Sequence, residues 1–200
     1  MTRSGADYAW FENDFPDIGE AYCFTLVRGL PPAEVISRRE GRPAPPLQGI
    51  AEVGDAAFAQ YDLEDGARQL IGMTTLGVWT LLIEPNGYLG VTEEPVLPAS
   101  AGASWVSHFV DVNAVGTFLW AEDEVLRPCF HPCSRRTAGA PRPTYSSTSW
   151  SGSASILRRR LRTRLSSPAA FALAEHLTGV AITPALLQDT TFSCTTVEIR

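Results

Sequence analysis

Two hundred residues, 44% of them apolar and with a mean hydropathy of −0.02, suffice for one globular domain with a sizeable core and exclude a disordered chain. No apolar run approaches the roughly 20 residues that cross a bilayer, which excludes a membrane-spanning helix. A net charge of −6 sets the body of the chain against nucleic acid at long range.

In chain order, "ADYAWFENDF" places Tyr8, Phe11 and Phe15 on one helical face and predicts a short N-terminal helix. "AYCFTLVRG" is β-branched and aromatic enough for a strand, with a continuation of the helix as the alternative. In "LPPAEVISRREG", Pro32 suits the first turn of a helix and Gly41 its stop. "RPAPPLQ" reads as a loop, and "GIAEVGDAAFAQYDLED" as a second helix weakened by Gly54.

From Gln69 the period changes to two. "QLIGMTTLGVWTLLIEPNGYLGVTEE" holds two or three strands, with Trp79, Leu81 and Ile83 on one face and Val78, Thr80 and Leu82 on the other. Asn86-Gly87 between apolar runs predicts a hairpin, because both central turn residues need positive φ. "SWVSHFVDV" and "TFLWAE" form a strand pair joined at "NAVG". "SPAAFALAEHLTGV" is a helix with Phe171, Leu173, Ala174 and Leu177 inward and Gly179 past its end. "ITPALLQD" restarts a helix with Thr183 as N-cap and Pro184 at the first position, and "TFSCTTVEI" is a closing strand. The order predicts an α+β fold: an antiparallel, meander-like sheet of about five strands flanked by N- and C-terminal helices, in one domain over 1–200.

Candidate chemistry is sparse. The opening stretch has no apolar segment of the kind an export signal needs, so a cytoplasmic setting with reduced Cys23, Cys129, Cys133 and Cys194 is expected. "CFHPC" offers Cys129, His131 and Cys133 as soft ligands, but a structural zinc site wants four, and ordinary loop residues are the simpler reading. His108 alternates with Val106, Val110 and Val112 on an apolar strand face; it is either a base with a depressed pKa or a core histidine satisfied by backbone. Ser107 and Asp111 fall on the opposite strand face and cannot complete a triad with it. A pocket pairing Cys23 with His108 is the remaining candidate. Walker, dinucleotide-fingerprint and metalloprotease motifs are missing, so no catalytic residue, cofactor or metal ligand is assigned. The glycines of "EPNGYLG" are hairpin chemistry rather than a phosphate cradle. Trp79, Trp105 and Trp120 are read as sheet core, or as a partner-binding face if one side of the sheet is uncovered.

The arginines are unevenly placed. Residues 1–124 carry 19 acids and 6 arginines, whereas 125–174 carry 9 arginines and no acid. "LRRRLRTRLS" (157–166), with Tyr145 and Trp150 upstream, could be a basic arm that neutralises phosphates and stacks on bases. Nothing in "TSWSGSAS" would dock such an arm. Back-translated and read one base out of register, "TYSSTSWSGSASI" can become a peptide with apolar residues at helical spacing, and "PCSR" can become Leu-Phe-Pro. Residues 133–165 are therefore read as a frame-displaced, poorly packed insert.

"YCFTLVRGL", "EPNGYLGVTEE", "SAGASWVSHFVDVNAV" and "FLWAEDE", with the late "AFALAEHLTGVAITPALL", resemble an actinobacterial family known only as a domain of unknown function. The likeness covers about residues 7–132 and 166–195 and departs at Glu124, where the family tends to have a turn glycine, and throughout 133–165. It implies no activity, cofactor or catalytic residue. The function expected is a cytoplasmic, non-catalytic protein-interaction module, regulatory or immunity-protein-like by fold analogy. The alternatives are a small-molecule binder or enzyme using His108 and Cys23, and, third, nucleic-acid binding through the arginine segment. A protein partner is expected, a membrane is not, and the oligomeric state is open.

Overall fold

The computed structural model describes residues 3–128 and 166–199. The "CFHPC" cluster, the 133–165 segment with its arginines, Tyr145 and Trp150 lie outside the described residues.

The N-terminal aromatics fold as a 3-10 turn (Gly5–Tyr8) and two short helices, α1 (Trp10–Asp14) and α2 (Pro16–Glu20). Pro16 opens α2, where its missing N–H has no helical partner to lose. Tyr8, Phe11 and Phe15 are all buried, as their shared face predicts. There follow β1 (Tyr22–Arg28), α3 (Pro32–Arg38), β2 (Arg42–Gln48), α4 (Gly49–Leu63), β3 (Arg68–Leu76) and β4 (Trp79–Pro85). A second 3-10 turn (Leu89–Val91) leads into α5 (Glu93–Ala99), then β5 (Ser104–Val110), β6 (Gly116–Glu122) and β7 (Val125–Leu126). After the undescribed stretch come α6 (Ser167–Thr178), α7 (Pro184–Asp189) and β8 (Thr191–Glu198). Gly179 closes α6 at φ 73, and the Thr183 hydroxyl caps α7 by accepting from the Leu186 N–H at 3.2 Å, both as expected.

The α+β class holds, but the sheet has eight strands rather than about five. Its order is β2-β8-β3-β4-β1-β5-β6-β7, with every neighbouring pair antiparallel. It is not a simple meander, because β1 inserts between β4 and β5, and β8 between β2 and β3. "RPAPPLQ" is a strand and not a loop: it lies at the sheet edge and pairs only with β8, a position that tolerates prolines. The hairpin expected at Asn86-Gly87 is also corrected. The two-residue turn lies instead at Gly77-Val78, with Leu76 opposite Trp79 and Gly77 at φ 64. Asn86 does take φ 50, but Gly87 does not share the positive φ, and the Asn86 N–H donates to the Ala21 carbonyl at 2.8 Å. The chain is thereby tied to the start of β1 and leaves the sheet.

Both faces of the sheet are covered. Tyr22, Phe24, Leu26, Leu81, Ile83 and Phe192 meet α1, α2, α4, α6 and α7 on one side. Val27, Ile71, Met73, Leu82, Trp105 and Leu119 meet α3, the second 3-10 turn and α5 on the other. Trp79 and Trp105 are therefore core residues of opposite faces rather than a partner-binding surface. Trp120 packs half-buried beside Val106, Phe118 and α6. Val112 leaves the apolar face because β5 has ended, and it is 71% exposed.

Two turns make stability predictions. Gly49 starts α4 at φ +73, and a Cβ there would sit 2.7 Å from the Gln188 carbonyl oxygen. Gly49→Ala should cost on the order of 2 kcal/mol, from a left-handed backbone plus a clash with main chain that cannot step aside. Asp123 and Glu124, at φ 49 and 63, form the β6–β7 turn, so both central residues adopt the conformation that favours glycine. Glu124→Gly should stabilise the chain by up to about 1 kcal/mol. Urea midpoints at unchanged m-value read both effects, and a neutral Gly49→Ala would contradict this account of the turn.

Candidate functional site

His108 and Cys23 sit on neighbouring strands, with His108 opposite Phe24 and Cys23 opposite Phe109. Their side chains consequently point to opposite faces of the sheet, and the pocket expected to join them does not form. His108 enters the aromatic core: its ring lies 4.5 Å from that of Phe171, edge-on, and 5.7 Å from that of Phe24, stacked. Its Nδ1 has no hydrogen-bond partner, so the backbone satisfaction expected of a core histidine is not met at that atom. Burial pushes its pKa down to about 3, and the void beside it measures about 10 Å³, too small for a substrate. The imidazole is neutral and closed in.

Cys23 faces the other way and is fully buried, its sulfur 3.8 Å from the Thr25 hydroxyl. Burial, reinforced by the Glu84 carboxylate, raises its pKa well above that of an ordinary thiol, so little nucleophilic thiolate forms. Ser107 shares the Cys23 face and bonds Thr25 at 2.7 Å, while Asp111 caps the β5–β6 turn by accepting from the Asn113 and Val115 N–H groups at 2.8 and 2.9 Å.

Around Cys23 lies a buried polar cluster that the sequence reading did not single out. Glu84 follows Thr80 and Leu82 on the same face of β4 and is 1% exposed. Its carboxylate accepts from the Leu89 N–H at 2.8 Å and the Gly90 N–H at 2.9 Å. The "PNGYLG" loop thus wraps an internal carboxylate, and this, rather than a hairpin, is what its glycines serve. A Cβ on Gly90 would collide with the Thr25 hydroxyl and come within 2.8 Å of the Cys23 sulfur. The indole N–H of Trp105 donates to the Gly90 carbonyl at 3.0 Å and to the Ser107 hydroxyl at 2.8 Å. Gln69 closes the loop base by donating to the Pro85 carbonyl at 2.9 Å.

The countercharge of Glu84 is Arg39. Helix α3 ends in a tight C-terminal turn in which the Gly41 N–H donates to the Ile36 carbonyl at 2.9 Å and the Glu40 N–H to the Ser37 carbonyl at 3.2 Å. Glu40, not Gly41, takes the left-handed conformation at φ 52. This turn holds Arg39 against the sheet, 8% exposed and with Nη1 unpartnered. Burial lowers the pKa of Arg39, and it raises that of Glu84 to about 7 although Arg39 and the two amides pull the other way.

Above the cluster a cleft of about 750 Å³ opens between α3, α5 and the ends of β2 and β8. Arg39, Leu89 and Val197 contribute to its floor, and Tyr88, Glu94 and Arg42 stand among its exposed or half-exposed walls. Two buried groups of opposite charge, Glu84 and Arg39, lie beneath this cleft, and Arg39 is part of its lining.

The model of a family of unknown function, DUF6461, matches residues 1–200. The chain belongs to that family. No curated protein and no solved structure matches it. The site of this family member therefore rests on its own geometry. A sequence signal for it did exist: Glu84 is a charge at an inward position of an otherwise apolar run, followed by two closely spaced glycines. Arg39 carried no such signal, since its neighbour Arg38 has the same composition and a different fate.

The two buried titratable groups act on stability in opposite senses. Glu84 binds its proton more tightly in the fold, so its contribution is full below pH 4.5 and is lost as pH rises through about 7. His108 binds its proton less tightly in the fold, so its contribution is full above pH 6.5 and is lost as pH falls towards about 3. These slopes oppose each other between pH 4.5 and 6.5. Urea unfolding between about pH 4 and 8 should show His108→Phe flattening the acid limb and Glu84→Gln the neutral limb. Glu84→Gln should also be less stable overall, because its amide nitrogen would face a backbone N–H. Three parallel curves would remove both assignments.

Proposed function

We propose that this chain is a non-catalytic, cytoplasmic recognition module, of a regulatory or immunity-type actinobacterial kind, that takes a segment of another protein into the cleft between α3 and α5. The observation that carries this reading is the make-up of the cleft. Leu89, Val197, Pro95 and Pro98 give apolar surface, Tyr88 stands 43% exposed beside them, and Arg42, Glu94 and Glu198 provide a charged margin. An apolar centre with a polar rim and an exposed tyrosine is the anatomy of protein interfaces. Cys23 and Cys194 are free thiols, which supports a reducing compartment. The acidic body supports a protein partner over nucleic acid.

A small-molecule binder is the second reading, favoured by the cleft volume of about 750 Å³, which falls within the range of metabolite sites. An enzyme built on His108 and Cys23 has no such support, since the two lie on opposite sheet faces and each is sealed.

Affinity capture from a native lysate should yield a stoichiometric partner with the unaltered chain and with Phe58→Ala on α4. Tyr88→Ala and Glu94→Arg should lose it. Capture that is indifferent to both cleft variants, or no partner at all together with a metabolite that raises the melting temperature, would replace the protein partner with the small-molecule reading.

A further inference from the structure

The polar lining of the cleft is selective in which of its cations remains available. Arg38 is spent: its Nε donates to Glu34 at 2.9 Å, and its Nη1 donates to the Ala101 and Ala99 carbonyls at 2.7 and 3.1 Å, tying α3 to the end of α5. Arg42 is exposed and stands 3.6 Å from Glu198. Arg39 differs from both. It is more than nine-tenths buried, lines the cleft, and keeps Nη1 without an acceptor. Its countercharge does not fill that deficit: Glu84 acts on Arg39 through its charge, and the hydrogen bonds it accepts come from the Leu89 and Gly90 N–H groups. A buried guanidinium with an unused donor is unfavourable in a resting fold and points to an acceptor that arrives from outside.

The kind of acceptor follows from charge and shape. Arg38, Arg39 and Arg42 in the lining are matched by Glu40, Glu94 and Glu198, so the cleft offers no net positive field to a polyanion. A single planar carboxylate matches the guanidinium fork, and Leu89, Val197, Pro95 and Pro98 suit the apolar body that carries it. We infer that the cleft recognises a carboxylate borne by the partner protein and received by Arg39. The inference rests on the cleft being the recognition surface. Because Nη1 is buried, engagement requires the guanidinium to turn towards the cleft that Arg39 lines.

Amide chemical-shift titrations of the full chain test this with four probes: a short peptide ending in a free phenylalanine carboxylate, its C-terminally amidated twin, N-acetyl-phenylalanine and inorganic phosphate. The free-acid peptide should perturb residues of α3, Tyr88–Thr92 and Val197, and should bind about tenfold or more tightly than the amide. Arg39→Gln should abolish that preference, and Arg42→Gln should leave it intact. If Arg39→Gln does not fold, the acid–amide pair on the unaltered chain decides alone. Equal binding of acid and amide at the cleft overturns the carboxylate and leaves the recognition surface standing. No perturbation of the cleft by any probe overturns both. Stronger binding of phosphate overturns the carboxylate, and N-acetyl-phenylalanine binding as tightly as the peptide overturns the protein source in favour of a free small acid.

Discussion

Strand β1 lies between β4 and β5 with both of its faces covered, and the rest of the molecule is arranged around that double burial. Its first six residues are buried, and every residue of β4 is buried beside them. Alternation along a strand sends Tyr22, Phe24 and Leu26 one way and Cys23, Thr25 and Val27 the other, so each layer of helices meets a surface of different chemistry. The aromatic side is closed by α1, α4 and α6 and takes in a neutral histidine as if it were another ring. The opposite side carries hydroxyls, a thiol and a carboxylate that must find partners within the protein.

That requirement shapes the loop after β4. A carboxylate at the centre of a covered face would be strongly disfavoured without donors. The chain from Asn86 to Val91 folds back over Glu84 and supplies two amides, while the glycine at 90 lets main chain approach the hydroxyl and thiol beneath it. Arg39, delivered by the C-terminal turn of α3, balances the charge but leaves part of its own hydrogen-bonding capacity unmet. The cleft lies where these two constraints meet, and its polarity is a consequence of what the sheet buried.

Legibility differed between elements for physical reasons. The helices around Phe11 and Phe171, the α7 cap at Thr183 and the strands holding Trp79, Trp105 and Phe192 follow from local periodicity and capping, which depend on near neighbours only. "RPAPPLQ" reads as a loop because prolines oppose an interior strand, and nothing local says that β8 will return to make this an edge. Asn86-Gly87 looks like a hairpin turn locally, but its conformation is decided by Glu84 and by the Ala21 carbonyl, 65 positions earlier than Asn86. The pairing of His108 with Cys23 is illegible for the same reason, since strand register, set by distant partners, puts the two on opposite faces.

By itself the sequence determined the class of fold, the position of most helices and strands, the alternation along β4 and the acidity of the body, since propensity, period and charge are local or summed quantities. Only the tertiary structure decided that the sheet has eight strands with β1 and β8 inserted between earlier and later partners, because pairing joins residues far apart in the chain. It alone also decided that Arg39 rather than Arg38 lends its charge to Glu84, since one residue's step around the end of α3 separates a guanidinium tied to carbonyls from one held against the sheet beneath the cleft.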